Sequence, residues 1–345
     1  MQPVKNLLGQ LGRQFSIPMF IAKTGKQLIL PFYHTISNNY LPHIAHLYRY
    51  NNEAEFERDL DLMLKHFEPI TLQELIDSEG NGAYFSKPSM HLSFDDGLRE
   101  CSEIIAPILL RKGIPATFFV NSGFVDNRGL LYRFKVSLIM DKIQKTEISN
   151  GELAAIKALM PEGARKPNNT DAIKKLLGKL GYEHQFVINQ IADVFELDFG
   201  VFLRNQKPYM TKTQIRQLAQ SGFTIGAHSI DHPMYYKLDI VEQLEQTTES
   251  LHYVQEVFQV PYRVFAFPFT DHRVSARFFD ELYNQGEPLV DLSFGTAGLK
   301  TDLNAKHLQR IPMDGGKLNA EQIIKTAYTA SLVQQTLGIN EVKRH

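Results

Sequence analysis

Short β-rich runs alternate with helical segments along this chain, and the alternation limits the folds it can adopt. Seven runs have the composition of strands, and each ends in a polar or special residue. They begin near residues 27, 90, 115, 223, 263, 289 and 308. The segments from residues 53, 239 and 320 repeat apolar residues at intervals of three and four, as helices do. This order predicts a parallel sheet, either closed as a barrel or open and doubly wound.

Polar side chains at the carboxyl ends of the runs favour the barrel. Parallel strands bring these ends to one face, where barrel active sites are built. The side chains expected on that face are His34, Asp95, Asp96, Asn121, His228 and Asp271. The stretch between the third and fourth runs is longer than one helical crossover, which predicts a helical insertion at about 124–221. We therefore expect an amphipathic segment at 1–26, a barrel at 27–318 and a C-terminal helix packed on it at 319–345.

Composition excludes several classes of protein. A formal net charge of -1, with dispersed Lys and Arg residues, argues against nucleic-acid binding. The single cysteine, Cys101, rules out an internal disulfide and fits a reducing compartment. No apolar run approaches the roughly 18 residues of a membrane span. The sequence thus predicts a globular protein without a transmembrane segment.

The start of the chain is amphipathic. Residues 4–22 carry apolar residues near helical spacing, and Arg13 interrupts what would be the apolar core of a signal peptide. We therefore expect no signal peptide and a cytoplasmic location, or a peripheral one at the inner membrane. The segment is interpreted as a helix packed on the protein itself, with peripheral membrane contact through residues 4–22 as the alternative.

Two motifs carry the chemistry. "SFDDG" places Asp95 and Asp96 directly after a predicted strand, and "HSIDH" places His228 and His232 four residues apart after another. Taken singly, the acids fit a solvated turn and the histidines fit structural roles. Taken together, two histidines and one carboxylate can hold a divalent metal and leave coordination positions open for water and substrate. Zinc is the preferred metal, with iron, cobalt or nickel as alternatives. The second carboxylate can then act as general base.

These motifs resemble those of the polysaccharide deacetylases of carbohydrate esterase family four, the NodB-homology group, which read close to "TFDDG" and "HSxxH". The resemblance implies an α/β fold, an irregular (β/α)7 barrel of the glycoside hydrolase/deacetylase type. It also implies that Asp95 is the base and that Asp96, His228 and His232 are the metal ligands.

The later motifs differ from the family pattern. "AFPFTD" matches the third motif, "RxPYG", at Pro268 and Phe269, but Ala266 stands in place of the arginine that orients the base. Arg263 and Arg310 are candidates for that role, with a structural salt bridge as the alternative. Pro268, Phe269 and Arg310 form the predicted substrate-binding set. The resemblance implies that the Phe269 amide polarises the substrate carbonyl.

The general acid also has to be found elsewhere. The chain has no tryptophan for the fourth motif, and no late "LxH" histidine follows residue 308. His34 in "FYHTIS" resembles the histidine of a circularly permuted subgroup, the poly-N-acetylglucosamine deacetylases, and would supply the acid. The alternative is that His34 only caps its strand. His307 precedes its strand and is expected on the opposite face of the barrel.

The sequence therefore predicts a metal-dependent hydrolase that removes acetyl groups from a sugar or polysaccharide precursor. Hydrolysis of an N-acetyl group is the preferred hypothesis over hydrolysis of an O-acetyl ester. The first alternative is a hydrolase of the same family acting on a non-sugar amide. The second is a catalytically inactive carbohydrate-binding barrel, favoured by the missing motif residues. A glycosyltransferase has less support, because no nucleotide-binding stretch is recognisable.

Overall fold

The protein is described by a computed structural model over residues 14–79, 81–160, 167–284 and 286–344. Residues 1–13 of the predicted amphipathic segment and residues 161–166 of the insertion lie outside the described ranges. Two compact units form. The first comprises the described residues within Met1–Asn38, Tyr50–Asp126 and Tyr209–His345, and the second comprises those within Asn39–Arg49 and Asn127–Pro208.

The first unit contains the barrel. Its strands are β1 (Leu28–Ile29), β2 (Pro31–Tyr33), β3 (Glu68–Pro69), β4 (Ser89–Met90), β5 (Leu92–Phe94), β6 (Ala116–Val120), β7 (Thr224–Ala227), β8 (Val264–Ala266), β9 (Leu292–Gly295), β10 (His307–Gln309) and β11 (Ile311–Pro312). The main sheet has the order β10-β9-β8-β7-β6-β5-β2-β11, and β1-β4-β3 form a small separate sheet.

The main sheet is parallel and closes on itself. β10 pairs with β9, β11 pairs with β2, and only Arg310 separates β10 from β11 in the chain. One interrupted strand therefore joins both edges of the sheet. Each of the seven predicted runs contributes to this barrel, so the predicted (β/α)7 architecture is confirmed.

The helices of the first unit surround the sheet. They span Ile17–Thr24, Glu53–His66, Leu72–Asp77, Ala106–Lys112, Lys212–Gln220, Ile240–Phe258, Ala276–Leu282 and Ala320–Thr336, and a π-helical turn spans Cys101–Ile105. The three long helices expected from residues 53, 239 and 320 form, and each begins with a capping box. A polar side chain at the cap accepts a hydrogen bond from the first turn, which fixes where each helix begins.

The barrel core is aromatic. β6 is buried along its whole length, as expected for a strand covered on both faces. The ring centroids of Phe94 and Phe118 lie 5.1 Å apart in a stacked arrangement. At Gly226 a Cβ atom would lie 2.4 Å from the Phe119 ring, so β7 needs glycine where it crosses that side chain.

The second unit is helical. Its helices span Tyr132–Lys145, Asn150–Ala158, Thr170–Leu177, Gln185–Val194 and Phe199–Gln206. They bury apolar side chains that include Phe134, Ile139, Ile156, Ile173 and Ile188. Within the described ranges of the chain, none of the helices combines the length and apolarity needed to span a membrane.

Candidate active site

A tight turn after β5 separates the two adjacent carboxylates. Asp96 (φ 71°) and Gly97 (φ 65°) both have left-handed backbone conformations. A Cβ atom on Gly97 would lie 3.1 Å from the Val120 side chain, so the turn also needs glycine for space. Asp95 and Asp96 are only 2% and 4% exposed. Buried carboxylates need partners, and the two acids face different side chains.

Asp95 forms a forked ion pair with Arg310. The Arg310 Nη1 and Nη2 atoms donate to the two Asp95 carboxylate oxygens at 2.8 and 2.7 Å. Arg310 is completely buried, and its remaining hydrogen bonds go to the Ser93 hydroxyl and the Gly295 carbonyl. Burial alone would raise the pKa of Asp95, but Arg310, followed by His228, holds it below its usual value. Asp95 is therefore ionised at neutral pH.

This arrangement gives Arg310 a contact with the carboxylate and no surface open to a substrate. Arg263, the other candidate orienter, lies near Asp291 with 3.9 Å between their charged atoms. Sequence reasoning named both arginines. They differ in the structure: Arg310, between β10 and β11, makes the bidentate contact with Asp95 after β5, and Arg263 pairs with Asp291.

Asp96 faces His228 and His232. Its Oδ1 atom lies 3.6 Å from the His228 Nε2 atom and 3.1 Å from the His232 Nε2 atom. The His228 Nδ1 atom donates a 2.7 Å hydrogen bond to the Ala266 carbonyl, which fixes the tautomer in which Nε2 carries no proton and could serve as a ligand atom. Burial lowers the pKa of His228 to about 4, so the ring is neutral.

The three side chains fit a divalent metal ion. Their ligand atoms lie within 4.8 Å of one another, and all three residues are buried. Among the described residues, the Asp96 Oδ1 atom has no hydrogen-bond partner although it is buried. Such an atom is costly to bury, and a bound cation would satisfy it. Two imidazole nitrogens and one carboxylate oxygen suit zinc and the neighbouring transition metals.

His34, at the end of β2, is paired with Asp314. The His34 Nδ1 atom lies 2.9 Å from the Asp314 Oδ2 atom, which also accepts a 2.8 Å hydrogen bond from the His34 main-chain amide. The His34 side chain is 24% exposed. Burial opposes its charged form, but Asp314, and then Asp96 and Asp95, raise its pKa to about 10. His34 is therefore protonated at neutral pH.

Sequence reasoning missed Asp314. β11 pairs in parallel with β2, so the carboxyl ends of the two strands meet, and Asp314 follows β11 as His34 follows β2. The acid after "RIPM" was a usable signal once β11 and β2 were known to be neighbours. That pairing could not be inferred from the sequence pattern.

Pro268 and Phe269 follow β8, and the Phe269 side chain lies beside His232. Phe269 has φ 56°, an uncommon conformation for a bulky residue. Its ring contacts the His232 ring edge to face, with 4.4 Å between the centroids. The loop after β8 therefore reaches the side chains that could hold a metal.

Asp271 and Asn121, also expected at the rim, have other partners. The Asp271 carboxylate accepts hydrogen bonds from His307 and Gln309 and forms an ion pair with Arg344. His307 was expected on the opposite face of the barrel, yet its Nε2 atom lies 3.0 Å from Asp271. The Asn121 side chain donates to the His228 carbonyl and thus supports the loop that carries both histidines.

Comparisons with known proteins identify the family and the fold. The profile of the polysaccharide deacetylase family matches residues 83–281. A comparison with curated protein sequences finds no match.

Several solved structures share the fold. The deacetylase PplD of Streptococcus pyogenes, solved in complex with acetate, superposes with a TM-score of 0.55 at 14% identity, over 87% of this chain and 97% of that one. IcaB of Ammonifex degensii superposes with a TM-score of 0.51 at 16% identity, over 87% of this chain and 97% of that one. A polysaccharide deacetylase from Bacillus cereus gives 0.52 at 12% identity, over 87% of this chain and 68% of that one. With the profile covering more than half of its length, this chain belongs to the polysaccharide deacetylase family of hydrolases.

Proposed function

We propose that this protein is a metal-dependent deacetylase that hydrolyses an N-acetyl group on a sugar or polysaccharide precursor. One observation carries the proposal: a potential ligand trio, Asp96, His228 and His232, lies next to an ionised carboxylate, Asp95, that takes no part in the trio. This combination allows hydrolysis of an amide by water, because one group can bind a metal while another takes up a proton.

In the proposed mechanism Asp95 takes a proton from the attacking water. Its forked ion pair with Arg310 fixes the carboxylate and keeps it ionised, so Arg310 is assigned as a positioning residue. A divalent ion held by Asp96, His228 and His232 would supply Lewis-acid polarisation of the substrate carbonyl.

His34 is assigned as the general acid. Its Nδ1 atom binds Asp314, and we assign the proton transfer to the leaving nitrogen to Nε2. The Phe269 main-chain amide is assigned to the developing oxyanion, and Pro268 to the wall of the substrate site.

The test is acetate release from N-acetylated sugars, oligomers and sugar-lipid or sugar-nucleotide precursors, using protein stripped of metal and then reloaded with zinc, iron, cobalt or nickel. We expect metal-dependent release that falls about 10²- to 10⁴-fold in Asp95→Asn and in His34→Ala. Asp291→Asn, which removes an ion-paired carboxylate at the start of β9, is the matched control and should keep full activity.

Each result has a defined meaning. Release lost in Asp95→Asn but intact in His34→Ala would reject the assigned acid and keep the enzyme. Acetate from non-sugar amides alone would reassign the substrate class. Tight metal binding without acetate from any substrate would indicate a carbohydrate-binding barrel without catalysis.

A further inference from the structure

The Arg344 side chain enters the barrel unit from the segment that follows helix Ala320–Thr336. It is 2% exposed although the neighbouring Lys343 is exposed. Its guanidinium donates to the Asp271 carboxylate at 2.6 Å, to the Asp271 main-chain carbonyl at 3.1 Å, and to both oxygens of Asp302 at 2.9 and 2.6 Å. The guanidinium carbon lies 3.7 Å from the centroid of the Phe279 ring.

Asp271 connects this arginine to the loop after β8. The loop begins where the Phe267 amide bonds to the Phe294 carbonyl, and it ends at Asp271, whose Oδ1 atom accepts from the Thr296 amide at 3.1 Å. Phe269 lies between these two anchors in a left-handed conformation, with its ring against His232. A bulky residue holds such a conformation only where its surroundings enforce it.

Arg344 is one of three side chains that donate to the Asp271 carboxylate, with His307 and Gln309. Asp271 and Asp302 are buried carboxylates that share the Gln309 side-chain amide as a donor. Together with His307 they have the spacing of a metal site. The Arg344 guanidinium already lies between the two carboxylates and supplies the cation, so this cluster is an ion-pair anchor rather than a second metal site.

We propose that Arg344 is a positioning residue for the deacetylase: through Asp271 it holds the loop after β8, and with it Phe269, in place beside His232. The proposal rests on the proposed function for its kinetic consequence and on the structure alone for its effect on the loop. Two arginines then contact the end of β9, since Arg310 bonds to the Gly295 carbonyl and Arg344 binds Asp271, which accepts a hydrogen bond from the neighbouring Thr296 amide.

The test compares Arg344→Ala with Lys343→Ala, the matched control on the same segment. In Arg344→Ala we expect kcat to fall about tenfold or more, because one misplaced oxyanion donor costs up to about 10²- to 10³-fold. KM should change by less than about threefold, and zinc affinity should match the control. Guanidinium chloride at tens of millimolar should restore part of kcat in Arg344→Ala, whereas equal sodium chloride should not.

Hydrogen–deuterium exchange gives a readout that does not need activity. The amides of Phe269 and Thr270 should exchange faster in Arg344→Ala than in Lys343→Ala, while those of β6 should stay unchanged. If Arg344→Ala folds poorly, Arg344→Lys keeps the charge without the forked contact, and it should show the same loop exchange at a smaller amplitude.

Exchange and kcat equal to those of the control would overturn the proposal. A uniform rise in exchange across the barrel, with no rescue by guanidinium, would overturn it in favour of a purely structural role. A wild-type protein that releases no acetate, but whose loop still loosens in Arg344→Ala, would refute the deacetylase assignment and leave the role of Arg344 in place.

Discussion

The Asp95–Arg310 pair joins a catalytic candidate to a completely buried cation. Arg310→Gln would leave the carboxylate buried without its counter-ion, so its pKa should rise from the lowered value that it has in the native protein. Because Asp95 must be ionised to act as base, the acid limb of the kcat/KM profile should move to higher pH. Breaking such a pair also costs about 3–5 kcal/mol of stability. A pH–rate profile and urea unfolding would measure the two effects.

Arg263→Gln is the control for that experiment. Arg263 is paired with Asp291 at the surface, and its loss should change stability by less than about 1 kcal/mol. An acid limb that stays in place in Arg310→Gln would show that Arg310 does not set the pKa of the base.

Asp314 should control the opposite limb of the profile. The pKa of His34 is about 10: burial opposes the charged form, but Asp314 and the nearby carboxylates outweigh it. Asp314→Asn removes the main charge that raises this pKa, so His34 should lose its proton at lower pH. The basic limb of kcat/KM should move to lower pH while the acid limb stays. The basic limb moving upward, or the acid limb moving instead, would contradict the assignment of His34 as acid.

Sequence reasoning could predict that Asp95, Asp96, His228 and His232 would converge, because short motifs follow strands whose carboxyl ends share one face of a parallel barrel. Contacts that depend on distant strand pairing could not be predicted. Asp314 lies 280 positions from His34, and Arg310 lies 215 from Asp95. The Arg344 anchor was missed for the same reason.

At the level of single elements, the strands are shorter than the runs that predicted them. The run from residue 27 divides into β1 and β2, and the run from 308 is interrupted at Arg310. Periodicity indicates that a strand exists, but its bounds depend on hydrogen bonds to neighbouring strands. The long helices were predictable almost to the residue, because their caps are local signals.

His91, between β4 and β5, makes the barrel sensitive to acid. Its ring nitrogens lie 2.8 Å from the Ile70 carbonyl and 2.8 Å from the Thr117 hydroxyl. Burial lowers its pKa to about 4. Between about pH 6.5 and pH 4 the unfolded chain therefore binds a proton that the native state does not.

We expect His91→Gln to weaken the pH dependence of stability in that window. The native protein should lose up to about 3 kcal/mol through His91 as pH falls from 6.5 to 4, at 1.36 kcal/mol per pH unit. Urea unfolding at several pH values gives the free energy of unfolding as a function of pH. The slope of this plot should be shallower in the variant by the amount that corresponds to about one proton. His252→Gln, on the exposed side of helix Ile240–Phe258, should leave the slope unchanged.

For the whole molecule, the proposed metal links two separate loops. Asp96 follows β5, and His228 and His232 follow β7, so the ligands meet only in the folded chain. A ligand that binds the native state alone stabilises it by about 2.7 kcal/mol at one hundred times its Kd. Zinc should therefore raise the Tm of chelator-treated protein, and Asp96→Ala should abolish that rise. Asp95→Asn should retain it, and equal shifts in all three proteins would refute these ligands.

Arg310, where the strand between β10 and β11 is interrupted, links the closure of the barrel to the loss of activity on unfolding. This residue lies between the two strands that close the barrel, and it is also the counter-ion of the proposed base. A molecule in which these strands have separated from the sheet therefore lacks the Arg310–Asp95 ion pair. Catalytic activity then requires that the barrel is closed. Under gentle denaturation, inactivation should precede the loss of helical signal. Partially opened molecules would be inactive and would not act on other substrates.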